Sequence, residues 1–136
     1  MKKIVLFTLA VAIALPMISS DVMAMSQSKM IKKGRKVAIK QCFVCHDITE
    51  NKQPKVGPPL WGVYGKSPGQ VEGYNYSEAH LSKKDSIVWD EATLDAYLQD
   101  PKSVIPGNKM VYPIPGMKVM SDMKRKNLIE FLKTLK

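Results

Sequence analysis

Cys42, Phe43, Val44, Cys45 and His46 stand in a row, two thiols three positions apart with an imidazole directly behind them. Side chains three apart share nearly one turn of a helix. That spacing suits two thiols adding to the vinyl groups of a haem to form thioethers. It then carries His46 beneath the iron, where an imidazole nitrogen is a good axial ligand. Two other chemistries use the same residue types. A redox-active dithiol needs a βαβ framework, which this chain does not show. A zinc site needs four ligands, and Cys42, Cys45, His46 and His80 are the only cysteines and histidines in the chain. Adjacent ligands such as Cys45 and His46 make poor tetrahedral geometry. A disulfide between thiols this close would close almost no loop and stabilise little. The pentapeptide points to haem c, one per chain, attached through Cys42 and Cys45.

Iron so held needs a sixth ligand or an open site. His80 is the other histidine, and Met110, Met117, Met120 and Met123 are the methionine candidates. Met110 ends Ile105-Pro106-Gly107-Asn108-Lys109-Met110, a Pro-Gly loop able to approach a flat ring. The other three lie near the start of the last helix, where filling a core is the ordinary role of methionine.

The elements that must position these residues read as helices and loops, with no convincing strand. Lys29 to Gln41 has few breakers, and Met30, Gly34, Val37 and Ala38 recur at helical spacing. Gln53 to Gly73 is rich in glycine and proline and reads as a long loop. Asp90 caps a helix to Gln99, with Leu94, Tyr97 and Leu98 on one face and Pro101 as its stop. Pro101 to Gly116 is a second loop. Ser121 caps a last helix with Leu128, Phe131, Leu132 and Leu135 along one side. Three helices and two long loops make a thin core for about 110 residues unless something large fills the middle. A haem would do so.

Residues 1–24 read as a secretory signal peptide, leaving one domain over 25–136. Lys2 and Lys3 precede an apolar stretch from Ile4 to Ile18, and Val22-Met23-Ala24 offers a small-residue cleavage site. The stretch is shorter than the roughly 18–20 residues of a membrane span, and no cysteine follows it to carry a lipid. The expected location is the periplasm. The formal charge is +9, and removing the leader, with Lys2, Lys3 and Asp21, lowers it by one. Such a surface attracts acidic partners. Nucleic acid is excluded by export and because no segment interleaves aromatics with its basic residues.

Several motifs in order resemble those of the class I cytochromes c, in the branch of mitochondrial cytochrome c and its bacterial relatives. The likeness covers Lys32 to Leu135. CFVCH is followed by GPPLWGVYGKSPGQ, similar to the family's GPxLxGxxGRxxGQ. Gly73 to Ser77 resembles its GYxYS/T segment, and Asp90 to Pro101 its helix ending in YLxxP. Ile105 to Met110 resembles its IPGTKM loop and Asn127 to Leu135 its final helix. The resemblance implies an all-α fold wrapped round one haem, with Met110 as distal ligand through its thioether sulfur. It implies that the carbonyl of Pro58 accepts a hydrogen bond from the second nitrogen of His46, fixing the ring. Tyr97 would lie near the Met110 sulfur, Tyr76 and Trp89 would bond the haem propionates, and Gly34 would let the first helix cross the last closely. Lys66 stands where the family often has arginine, Ala38 where it often has an aromatic, and Asn108 where it usually has threonine. The last change puts one propionate or water hydrogen bond in doubt.

The function so implied is one-electron transfer by a monomer between acidic partners in membrane-bound reductase and oxidase complexes. Lys40, Lys55, Lys102 and Lys109 are the candidate docking lysines. The alternatives are a haem subunit serving a dehydrogenase, a small peroxidase and a gas sensor. Peroxidase and sensor both need an iron position that Met110 would close.

Overall fold

A computed structural model describes residues 20–112 and 118–136, and these are helical with no strand among them. Residues 1–19 of the expected leader, and Met117, lie outside them. Helix α1 spans Ser20–Val37 and runs on into a π-helical turn, Ala38–Cys42. α2 is Glu78–Leu81, α3 Glu91–Gln99, α4 Pro101–Val104 and α5 Asp122–Leu132.

α1 begins earlier than the periodicity predicts. Residues 20–28 contain no glycine or proline, and their methionine, alanine and glutamine are good helix formers. Arg35 and Lys36 in its last turn face the negative end of the helix dipole. The helix then widens: Phe43 N–H donates to Ala38 O at 2.9 Å, one residue further back than in an α-helix.

α3 starts as expected, with the Asp90 carboxylate accepting from Thr93 N–H at 2.8 Å. Pro101 does not end helical structure there but opens α4, because a first helical residue needs no N–H partner. α2 was not legible as a helix; Ser77 caps it by accepting from His80 N–H. Ser121 sits at the start of α5 with extended backbone, yet its hydroxyl makes no capping bond. Asp122 supplies the negative charge to that first turn instead.

The largest interhelical contact is between α1 and α5. A Cβ at Gly34 would lie 1.8 Å from Asn127 O and 2.8 Å from Phe131 Cβ, so these helices cross almost backbone to backbone. Leu128, Phe131, Leu132 and Leu135 are all buried, as their spacing predicts. Each contributes about 1.5–3 kcal/mol of transfer free energy. Ala38 is fully buried in the same cluster, and Phe131 packs over Gly34. The loop 53–73 has no helix or strand. Backbone hydrogen bonds tie it down, Leu60 N–H to Asp47 O and Gly62 N–H to Leu135 O, both at 2.8 Å.

Candidate functional site

Between these helices and the long loop lies a cavity of about 920 Å³. Cofactor sites run from about 300 to 1,000 Å³, so this one is large for so short a chain. Cys42, Cys45, His46 and Pro58 are on its wall, as are Tyr76, Trp89, Tyr97 and Met110. The fold thus gathers residues from across the sequence round one space.

The His46 side is built from neighbours in sequence. The π-helical turn ends at Cys42, and the chain folds back so that Cys45 and His46 N–H both donate to Cys42 O, at 3.0 and 2.8 Å. The two thiols form no disulfide. Burial, with Cys45 nearby, pushes the Cys42 thiol up to about 12. His46 Nδ1 lies 2.7 Å from Pro58 O. A carbonyl can only accept, so Nδ1 carries the hydrogen and Nε2 keeps a lone pair. Burial lowers the His46 pKa against the opposing pull of that bond, and Lys55 lowers it further. The imidazole is therefore neutral, the form that can bind a metal. A Cβ at Gly57 would lie 2.4 Å from His46 Cε1; the ring rests on bare backbone.

Lys55 is exposed and also braces the attachment turn. Its ammonium donates to Phe43 O and stands 3.6 Å from the centroid of the Phe43 ring.

An aromatic row lines another part of the wall. Tyr76 stacks on His80, centroids 4.9 Å apart, and Trp89 lies 5.9 Å beyond His80 and 4.8 Å from Tyr97. Burial lowers the pKa of His80 and raises that of Tyr97. Trp89 is held through its backbone, donating to Lys66 O at 2.8 Å and accepting from Gly65 N–H at 3.0 Å.

The Met110 side is held by side chains. Met110 N–H donates to Asn108 Oδ1 at 2.8 Å, and the Tyr97 hydroxyl reaches the same oxygen at 3.4 Å. Tyr112 donates to Leu98 O at 2.9 Å, and burial pushes its phenol up to about 12. Met120 and Met123 are not core filler: they are 61% and 62% exposed and off the cavity wall. The inward place at the start of α5 belongs to Arg125. Its buried guanidinium holds Asp95 at 2.8 Å, Asp122, and the carbonyls of Val119 and Met120.

Gly57 and Arg125 are the residues that sequence reasoning missed. Gly57 was signalled within its Gly-Pro-Pro motif. Nothing in the linear sequence marks Asp95 as the partner of Arg125.

A sequence profile of the cytochrome c family matches residues 31–136. The chain belongs to the cytochrome c family. It is 48% identical to cytochrome c2 iso-2 of Magnetospirillum molischianum, over 70% of this chain and 91% of that protein. It is 45% identical to cytochrome c2 of Rhodomicrobium vannielii, over 75% and 76%. It is 41% identical to cytochrome c of Gibberella zeae, over 76% and 92%. The fold is the all-α fold of class I cytochromes c, and the chain is an electron-transfer protein rather than an enzyme. Its cofactor is one haem c, attached through Cys42 and Cys45. The residues present fit that group: both thiol positions and a neutral imidazole share the wall of one cofactor-sized cavity.

Proposed function

We propose that this chain is an exported one-electron carrier whose haem iron is held between His46 and Met110. The observation that carries the reading is the hydrogen bond from His46 Nδ1 to Pro58 O, which leaves Nε2 available on the cavity wall. Bound haem supplies an iron that takes up and releases one electron. The chain holds it by two thioethers, orients the His46 ring through Pro58 and Gly57, and closes the remaining position with the Met110 thioether. Tyr76 and Trp89 hold the propionates, and Tyr97 steadies the Met110 strap. Met110 is favoured over His80 because a constrained turn delivers it, whereas the His80 ring is engaged with Tyr76 and Trp89. With His46 and Met110 both holding the iron, no coordination place would be left for a substrate.

The Met110→Ala holoprotein tests the ligand pair. The wild type should show a methionine-to-iron charge-transfer band. The variant should lose it, fall in reduction potential and bind carbon monoxide when reduced. Alanine at Met117, Met120 or Met123 should leave the band in place. A band that survives Met110→Ala sinks the reading.

Residues 1–24 act as a cleaved leader, and 25–136 work in the periplasm as a monomer. No helix among the described residues is long and apolar enough to cross a membrane. Val22 and Met23 are exposed, and α1 reaches α5 at Gln27, whose amide donates to Glu130. Secreted holoprotein should begin at Met25; an intact Met1 on periplasmic holoprotein would contradict this.

The partners are acidic redox proteins of membrane-bound reductase and oxidase complexes, not nucleic acid. Lys40, Lys55, Lys102 and Lys109 are exposed and supply the attraction. The screening length shortens from about 30 Å at 0.01 M salt to about 10 Å at 0.1 M. The second-order rate with an acidic partner should therefore fall as salt rises. A flat profile would reduce these lysines to solvated surface.

A further inference from the structure

The loop that delivers Met110 turns on one buried carboxamide. Asn108 is 7% exposed. Its Nδ2 donates to Pro101 O at 2.8 Å and to Ile105 O at 2.6 Å. Its Oδ1 accepts from Met110 N–H at 2.8 Å and from the Tyr97 hydroxyl at 3.4 Å. A carboxamide has two donors and two acceptor sites, and all are used within the protein. The amide cannot be turned over, because two of its partners are carbonyls and one is a backbone N–H.

The surroundings give this side chain its leverage. Pro106-Gly107 forms a turn in which Gly107 has φ +82° and Asn108 N–H returns to Ile105 O at 3.1 Å. Proline followed by a positive-φ glycine is the pattern of a type II turn. Beyond it the strap leaves the turn at Met110. The Asn108 side chain therefore binds both ends of α4, Tyr97 of α3 and the backbone of Met110 together.

We propose that Asn108 is the positioning residue that fixes Met110, and so sets how readily the iron position facing Met110 opens. This rests on the reading of Met110 as axial ligand. All the hydrogen bonds of the Asn108 side chain are internal to the protein. Threonine has one hydroxyl donor and cannot serve both carbonyls. Alanine takes the carboxamide oxygen from Met110 N–H and the Tyr97 hydroxyl, and leaves the Pro101 and Ile105 carbonyls with their backbone donors alone; a buried donor without its acceptor is costly.

The test uses matured holoprotein of the wild type, Asn108→Ala, Asn108→Thr and Met110→Ala. The readouts are carbon monoxide binding by the reduced protein, and the denaturant midpoint at which the charge-transfer band disappears, compared with that of helix loss by circular dichroism. Asn108→Ala should bind carbon monoxide faster by on the order of ten-fold or more, and its band should vanish well before its helices. Asn108→Thr should fall between alanine and wild type; it decides the matter if the alanine variant does not mature. A Met110→Ala band loss with unchanged carbon monoxide binding in the folded Asn108 variants overturns the positioning role alone. Coincident loss of band and helix in those variants overturns it too, since Asn108 would then be an ordinary structural residue. A wild type without the band, or a band that survives Met110→Ala, overturns both readings.

Discussion

The two sides of the cavity are held by different means. On the His46 side, the partners lie close in sequence and most are backbone: His46 meets Pro58 twelve positions away, and Gly57 gives the ring a surface with no side chain. On the Met110 side, the bonds are made by side chains of several elements. Arg125 meets Asp95 thirty positions away, Tyr112 meets Leu98 fourteen away, and Asn108 gathers α3, α4 and the strap. Backbone partners cannot be removed by changing a side chain, and short loops cost little entropy to close. On this ground the His46 side should be the stiffer wall, and the Met110 side should open first under denaturant.

Gly57→Ala should give the largest effect. The added Cβ, 2.4 Å from His46 Cε1, meets a ring that its own hydrogen bond holds still. Overpacking of this kind costs about 1–3 kcal/mol, at times more, and here it falls on the proposed iron ligand His46. The expected outcome is a sharp fall in yield of matured holoprotein. Normal yield with an unchanged haem spectrum would mean that the stiff wall yields after all.

Arg125→Met should come next, at about 2–3 kcal/mol in denaturant melts. It removes a buried cation that holds Asp95, Asp122 and the carbonyls of Val119 and Met120. The loss should act on the Met110 side alone: faster carbon monoxide binding, with haem attachment and the His46 signals in nuclear magnetic resonance unmoved. An equal disturbance on both sides would erase the distinction between them.

Tyr112→Phe removes one hydrogen bond, to Leu98 O, and keeps the ring. A net cost of about 0.5–1.5 kcal/mol is expected, again with earlier loss of the charge-transfer band. A variant as tight as wild type would show that Asn108 and Arg125 suffice to hold the strap.

Glu130→Gln touches neither side and should have the smallest effect. Its carboxylate is held below the ordinary range by its bond to Lys133, against some desolvation, and Gln27 adds to the lowering. A depressed folded pKa adds stability above the unfolded value of about 4.3, and that stability is lost as pH falls through the lower folded value. The deficit of Glu130→Gln should be complete at neutral pH and fade in acid. A deficit independent of pH would point to lost packing between α1 and α5 instead of charge.

Much of this was legible in the linear chain because it rests on short-range chemistry. The spacing of Cys42, Cys45 and His46 names the cofactor, and the apolar positions of α5 name the face that is buried. Asp90 capping Thr93 N–H and the Pro106-Gly107 turn are likewise local. The tertiary structure alone decided what depends on residues meeting from afar. Arg125 is a buried clamp, because Asp95 and the carbonyls of Val119 and Met120 converge on it. Lys55 gained a second task, bracing the attachment turn through the Phe43 ring and carbonyl. Met120 and Met123 face outward, while Arg125 is buried. Asn108, read only as a departure from threonine, became the knot of the Met110 strap. A residue's type sets the bonds that it can make, but only the folded chain brings the partners that decide which of them are made.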